Sequence, residues 1–199
     1  MSQHLILFTR FPEPGKTKTR LIPALGALGA AQLHRQLAEQ MLAQAKSLSA
    51  ILPISLEVCF TGGSLTQMQQ WLGGDLTYCV QGTGDLGARM SQAFQRSFEA
   101  GMERVAIAGT DCPHLEVSVL AQAFEQLQQH DLVLGPAKDG GYYLIGLQRL
   151  YPELLVGIDW GTSRVFEQTA AIAQRLNLSR ASLPELADID RPEDLGLLQ

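Results

Sequence analysis

Disulfide scaffolds, zinc ribbons, membrane spans and broad basic surfaces are all missing from this sequence. The three cysteines, Cys59, Cys79 and Cys112, are odd in number and lack C-x-x-C spacing, which excludes a disulfide framework and a zinc ribbon. A reducing cytosol suits them best. The apolar run Leu5 to Phe8 is too short for a signal h-region or a bilayer span, and Met1, Ser2, Gln3 and His4 carry no basic n-region, so the expectation is a mature, cytoplasmic protein with no membrane span. Bases do not outnumber acids: 15 Lys and Arg face 20 Asp and Glu, a net charge of −5, which argues against nucleic acid or an anionic membrane as a partner. Aromatic residues make up only 7%, yet 46% of the chain is apolar and 18% charged, the profile of an ordinary globular protein. A chain of 199 residues is expected to fold as one domain, 1–199, or at most a pair of very small ones, and to bury about 70% of its unfolded surface without staples.

One segment breaks the acidic balance. Between positions 10 and 20 stand Arg10, Lys16, Lys18 and Arg20 against the single acid Glu13, a local +3 that leaves −8 on the other 188 residues. A compact basic loop on an acidic protein suits either the phosphates of a nucleotide or a solvated surface. The loop follows the apolar run Leu5 to Phe8, which reads as a buried strand closed by Pro12, Pro14 and Gly15. On an extended stretch, Lys18 and Arg20 would point to one side.

Strand and helix then alternate. Leu33, Leu37, Met41, Ala45 and Leu48 recur at helical spacing between Ala30 and Leu48, and Ile54, Leu56, Val58 and Phe60 alternate with polar positions as a strand. Leu76 to Val80 reads as strand, and Met90, Phe94 and Phe98 mark a helix that Gly101 closes. Val105 to Ala108 is a strand before a helix with Val117, Leu120, Phe124 and Leu127 inward. Leu132 to Leu134 and Tyr142 to Leu147 read as two more strands, Val165 to Leu176 as the last clear helix, and Leu186 to Ile189 as a short strand before a C-terminal helical turn. This order predicts an α/β fold with a mainly parallel sheet between helical layers, whose ligands lie at the strands' C-terminal ends.

Five loops carry candidate chemistry. Gly15-Lys16-Thr17 is no Walker A loop, because the required first glycine is replaced by Arg10. Gly82-Thr83-Gly84-Asp85-Leu86-Gly87 matches G-x-G-x-x-G between a strand and a helix, so an NAD(P)-binding oxidoreductase using Gly82, Gly84 and Gly87 is a rival reading. Alternatively Asp85 caps the helix bearing Arg89 while the glycines make a tight turn. Asp111, after the strand ending at Ala108, suits Mg²⁺ or an Asp turn. Asp139, Gly140 and Gly141, in a Gly/Pro-rich loop with Lys138, suit close approach of backbone to a ligand or a hairpin turn. Asp188 and Asp190 stand two apart, and the spacing Asp190 to Glu193 favours Asp190 as a helix cap over Asp190 as a ligand. The histidines His4, His34, His114 and His130 show no metal-site spacing, no Ser-His or Cys-His nucleophile is evident, and Cys112 reads as a buried apolar side chain.

The stretches Phe8 to Leu21, Gln81 to Met90, Gly109 to Pro113, Gly135 to Gly146 and Asp188 to Leu195, taken in order, resemble the bacterial radical-SAM/selenodomain-associated transferase 1 family. That resemblance implies the GT-A type of nucleotide-diphospho-sugar transferase fold, a three-layer α/β/α sandwich with a mixed, mainly parallel sheet. Lys18, Arg20 and the Asp190 segment are also similar to 2-phospholactate guanylyltransferase and molybdenum-cofactor nucleotidyltransferases, which use an NTP and Mg²⁺. The implied activity is a glycosyltransferase or nucleotidyltransferase that needs Mg²⁺ or Mn²⁺ and joins a nucleotide or nucleotide-sugar donor to a small-molecule acceptor. Asp111 and Lys18 would be catalytic, with Asp111 and Asp190 on the metal. Arg10, Lys16, Lys18, Arg20, Gly82, Gly84, Asp85, Arg89, Asp139, Gly140 and Gly141 would surround the nucleotide and its phosphates. A non-catalytic, nucleotide-binding relic of the fold is the other rival. The Asp-x-Asp usual in metal-dependent glycosyltransferases is absent, since Asp111 lies between Thr110 and Cys112.

Overall fold

Seven strands form one sheet in the order β3-β2-β1-β4-β6-β5-β7. The computed structural model describes residues 2–198. In chain order the regular elements are β1 (Gln3–Arg10), α1 (Ile22–Ile51), β2 (Ile54–Thr61), α2 (Leu65–Leu72), β3 (Thr77–Val80), α3 (Leu86–Glu99), β4 (Arg104–Gly109), α4 (Val117–Gln126), β5 (Leu132–Pro136), β6 (Tyr142–Leu147), α5 (Val165–Arg175) and β7 (Arg180–Ser182). Strand β6 runs antiparallel to both neighbours, β4 and β5, and every other pairing is parallel. The sheet is therefore mixed and mainly parallel, as the alternation of elements predicts. No described helix is long and apolar enough to cross a membrane.

Period-two geometry builds both faces from the same strands. In β1, Leu5 and Leu7 face α1, α2 and α4 with Met41, Met68 and Phe124, whereas Ile6 faces α3 and α5 with Met90, Phe94 and Ala173. Burial on both sides explains why the central strands read as continuous apolar runs. It also corrects the expectation for β2: Leu56 is only partly buried, whereas Glu57 and Cys59, on the supposed polar face, lie under α3. Helix α1 breaks at Gly26, whose φ of 70° and ψ of 166° are open to glycine, and its regular part carries the predicted stripe. Helix α3 ends as predicted, with Gly101 at φ 85° and Met102 N–H donating back to the Ser97 carbonyl.

Two other expectations change. Lys18 has φ 46° and ψ 49°, and Thr19–Leu21 form a 3-10 turn, so Lys18 and Arg20 are not on an extended stretch and do not share a side by strand geometry. The last strand is Arg180–Ser182, and Leu186 makes only an isolated bridge to Ala137. Beyond it the chain is held by Ile189, fully buried with Leu21, Ala30, Leu33 and Leu37, and by the Ile189 N–H donating to the Asp111 carbonyl at 2.9 Å. Replacing Ile189 with Ala should cost about 2–4 kcal/mol in urea unfolding, because a cavity would open where no side chain can collapse to fill it. A loss below about 1 kcal/mol would mean that this side chain does not clamp the segment.

Candidate active site

Strand order reverses direction between β1 and β4, and in an open α/β sheet such a switch point leaves a crevice beyond the strands' C-terminal ends. Thr9 and Arg10 end β1, and Gly109 leads from β4 into Thr110 and Asp111. The two edges are joined by the Thr9 and Thr110 hydroxyls, 3.2 Å apart. A cleft of about 520 Å³ opens here, lined by Arg10, Lys18, His34, Gln81, Arg89 and Asp111 among others.

Lys18 is the organising cation. Its side chain is only 4% exposed, and its Nζ lies 2.8 Å from Asp111 Oδ1 and donates to the Ile189 carbonyl. His34, reaching in from α1, places Nδ1 3.6 Å from the same Oδ1 while its Nε2 donates to the Arg10 carbonyl at 3.0 Å. Burial alone would raise the Asp111 pKa, but the His34 ring and the Lys18 charge outweigh it and hold the carboxyl well below the usual carboxylate range. Oδ1 is the buried end of this carboxylate, whereas the side chain as a whole is 46% exposed to the cleft. Asp111 thus stays ionised and keeps open valence toward a ligand.

On the other side of Asp111 lies a smaller cavity of about 220 Å³, walled by Tyr142, Tyr143 and Trp160 and bearing Asp139 and Asp188. No Lys or Arg lines it. Burial, the nearby Asp139 charge, and the charges of Asp111 and Asp190 push Asp188 up to about 6 from 3.8. An acid raised in the folded state costs stability above about pH 6, a cost that fades as pH falls below the unfolded value. Replacing Asp188 with Asn should therefore raise stability at about pH 8 by on the order of 1–2 kcal/mol after solvent screening, with the gain vanishing toward about pH 4. Thermal melts of both proteins across that range check this, and a gain that grew on acidification would contradict it.

The remaining predicted residues fall at varied distances from this centre. Asp190 flanks Ile189 on the side opposite Asp188, lines the larger cleft, and is paired with Arg20. Its backbone N–H and that of Arg191 are capped by Asp194. Arg89 donates to Gln81 Oε1 at 2.9 Å, and Gln81 Nε2 donates to the Thr9 carbonyl, which ties this loop to the switch point. Lys16 is exposed and pairs with Glu13, and Arg10 donates to the Lys16 carbonyl. Asp85 caps α3 by accepting from Ala88 N–H at 2.8 Å. The glycines of its loop are accounted for by packing: a Cβ on Gly82 would meet Gln92, one on Gly87 would meet the Leu155 carbonyl, and Gly84 turns at φ 98°. This loop follows the edge strand β3, not the switch point. Asp139 accepts from Gly141 N–H across the β5–β6 hairpin, and a Cβ on Gly140 would strike the Ser163 backbone.

Sequence reasoning missed His34 and undervalued Asp188. His34 sits 77 residues from Asp111 and gives no local signal. The signal for Asp188 was present, as one of two acids at the same segment.

A mixed seven-stranded sheet in this order, with one reversed strand beside the switch point, is the fold shared with solved nucleotide-diphospho-sugar transferase and cytidylyltransferase structures. The structure of a proposed nucleotide-diphospho-sugar transferase from Desulfovibrio desulfuricans G20 superposes with a TM-score of 0.91 at 37% identity, covering 100% of this chain and 87% of that one. Two more distant structures share the fold alone. CMP:2-keto-3-deoxy-manno-octonic acid synthetase complexed with CTP gives a TM-score of 0.60 at 7% identity, covering 99% of this chain and 97% of that one. The 4-diphosphocytidyl-2C-methyl-D-erythritol synthase of Anaerococcus prevotii DSM 20548 gives 0.64 at 8%, covering 98% and 96%. The chain belongs to the family described as "uncharacterized protein conserved in bacteria" (DUF2064), whose model matches residues 41–162. No curated protein sequence matches it significantly.

Proposed function

We propose that this protein is a cytoplasmic transferase that binds a nucleotide-activated donor together with Mg²⁺ or Mn²⁺ and passes a sugar or a nucleotidyl group to a small-molecule acceptor. The observation that carries this reading is the Lys18–Asp111 pair at the switch point, with bases on one side and carboxylates on the other. The 37% identical relative and the resemblance to the radical-SAM/selenodomain-associated transferase 1 family support it.

Donor phosphates bind in the larger cleft, where Lys18 supplies a fixed ammonium and Arg89 and Arg10 supply bases at the rim. Arg20 belongs to this set, although it first has to leave Asp190. The acceptor occupies the smaller cavity, held between Tyr142, Tyr143 and Trp160, with its attacking oxygen directed toward the phosphate beside Asp111. The donor set suits a hard divalent cation: Asp111, Asp139 and Asp188 line one cavity that no Lys or Arg lines, and burial, with the neighbouring carboxylate charges, raises Asp188. Asp111 would hold such an ion with Asp188, since both line this cavity and Asp190 does not. The ion would neutralise charge developing on the leaving phosphate. What the chain itself contributes is position and charge: Lys18 and Asp111 are held in place before substrate arrives, so little reorganisation is needed as the oxygen attacks in line.

Phosphorus NMR of the protein incubated with Mg²⁺, candidate acceptors and either NTPs or NDP-sugars tests this. Pyrophosphate released from an NTP identifies nucleotidyl transfer, a nucleoside diphosphate released from an NDP-sugar identifies glycosyl transfer, and neither product with any acceptor would oppose catalysis.

A further inference from the structure

Away from this site, Cys59 and Cys79 face each other on β2 and β3. They are direct register partners on neighbouring parallel strands. Adjacent strands lie about 4.8 Å apart, inside the Cα separation that a disulfide spans. Their sulfurs and a Glu57 carboxylate oxygen all lie within 4.8 Å of one another. Cys59 is fully buried under α3, whereas Cys79 lies on the sheet's edge strand and is partly exposed.

We propose that Cys59 and Cys79 form a redox-closable thiol pair, reduced at rest and oxidised by hydrogen peroxide to a disulfide that fastens the edge strand β3 to β2. The exposed Cys79 sulfur attacks the O–O bond, giving a sulfenic acid and one water. The Cys59 sulfur then displaces the sulfenic oxygen as a second water, so two thiols and one peroxide yield one disulfide and two waters. The two sulfurs lose two electrons to the peroxide. Glu57 is the group placed to take the proton leaving Cys59, a thiol that burial pushes up to about 12 and that needs such an acceptor. Arg96, paired with Glu57 at 2.5 Å, orients that carboxylate.

The pair adjoins the donor cleft through one residue. Gln81, just beyond β3, donates from Nε2 to both the Cys59 and the Thr9 carbonyls. The disulfide therefore restrains the strand that delivers Gln81 and the glycine loop. Glu57 already has Arg96 and His4 as partners, which favours sulfur–sulfur chemistry over a bound metal.

The test is intact-mass and thiol analysis of the full chain after mild hydrogen peroxide. The expected result is a mass loss of about 2 Da, with reactive thiols in denaturant falling from three to one. Trypsin should place the loss in peptide 47–89, which holds both cysteines between Lys46 and Arg89. Cys79→Ser should abolish the loss, and Cys112→Ser should keep it. Separate oxidation of the two sulfurs to sulfinic acids, three thiols left free, or thiols masked by a bound equivalent of zinc would each overturn the proposal.

Discussion

Replacing Asp111 with Asn should remove the metal dependence of nucleotide binding and slow transfer by at least about 100-fold, with a cost to stability of only about 1–2 kcal/mol. The asymmetry follows from the geometry of this carboxylate. Its buried Oδ1 is the ion-pair partner of Lys18 at 2.8 Å, and an amide oxygen in its place still presents a dipole to that ammonium. Its exposed part faces the cleft, and there the lost charge has no substitute. Metal-free nucleotide binding should survive in the variant, since Lys18 and Arg89 remain. Calorimetric titration with and without Mg²⁺ separates the two effects, and unchanged metal-dependent affinity would remove Asp111 from the site.

Lys18→Met should show the reverse pattern. Donor affinity should fall about 100-fold, close to 2.7 kcal/mol, because a desolvated ammonium that meets phosphate in a preformed position is worth more than a surface base. Mg²⁺ affinity in the absence of nucleotide should rise, because the buried Oδ1 would lose its cation. The substitution is also a fair structural probe: Met keeps the chain length, and the left-handed backbone at φ 46° is as demanding for Met as for Lys. Lys18→Arg should not rescue donor affinity, since the planar fork has no room in a side-chain slot that is 4% exposed. Equal donor affinity in wild type and Lys18→Met would place the phosphates elsewhere.

These two residues mark where the sequence was most and least legible. Asp111 could be found because Val105 to Ala108 is an unmistakable buried strand, and whatever follows such a strand stands at the ligand edge. Lys18 could be found as one of four bases in a short loop, but only the family resemblance, and nothing in the loop itself, set it apart from Lys16, which lies on the surface paired with Glu13. Its special position depends on a left-handed backbone and on a carbonyl, that of Ile189, 171 residues away.

The acids at the C-terminal segment show the same limit. Periodicity made Leu186 to Ile189 a strand, but only one bridge forms there. What fixes the segment is the burial of Ile189 against α1, which leaves Asp188 on the smaller cavity and Asp190 on the larger cleft, while both also border a third hollow with Arg20 and Lys138. Nothing local says which acid meets Asp111. The G-x-G-x-x-G stretch gave the opposite difficulty, a strong local pattern in which Gly87 is needed to fit the Leu155 carbonyl and Gly84 to turn at φ 98°. Burial of Glu57 and Cys59 was hidden because α3, which covers them, is placed by tertiary contacts that an alternating pattern does not carry.

The most direct test of a metal-dependent, nucleotide-using site at the β1–β4 switch point is a thermal-shift panel of wild type and Asp111→Asn. The ligands are NTPs, NDP-sugars and NAD, each with and without Mg²⁺ or Mn²⁺. A ligand at about 100 times its dissociation constant adds roughly 2.7 kcal/mol of stability, a readily measured shift. The account predicts stabilisation of the wild type by an NTP or NDP-sugar that the metal increases, with the metal-dependent increment lost in Asp111→Asn. Stabilisation by NAD without metal, equal in both proteins, would contradict it.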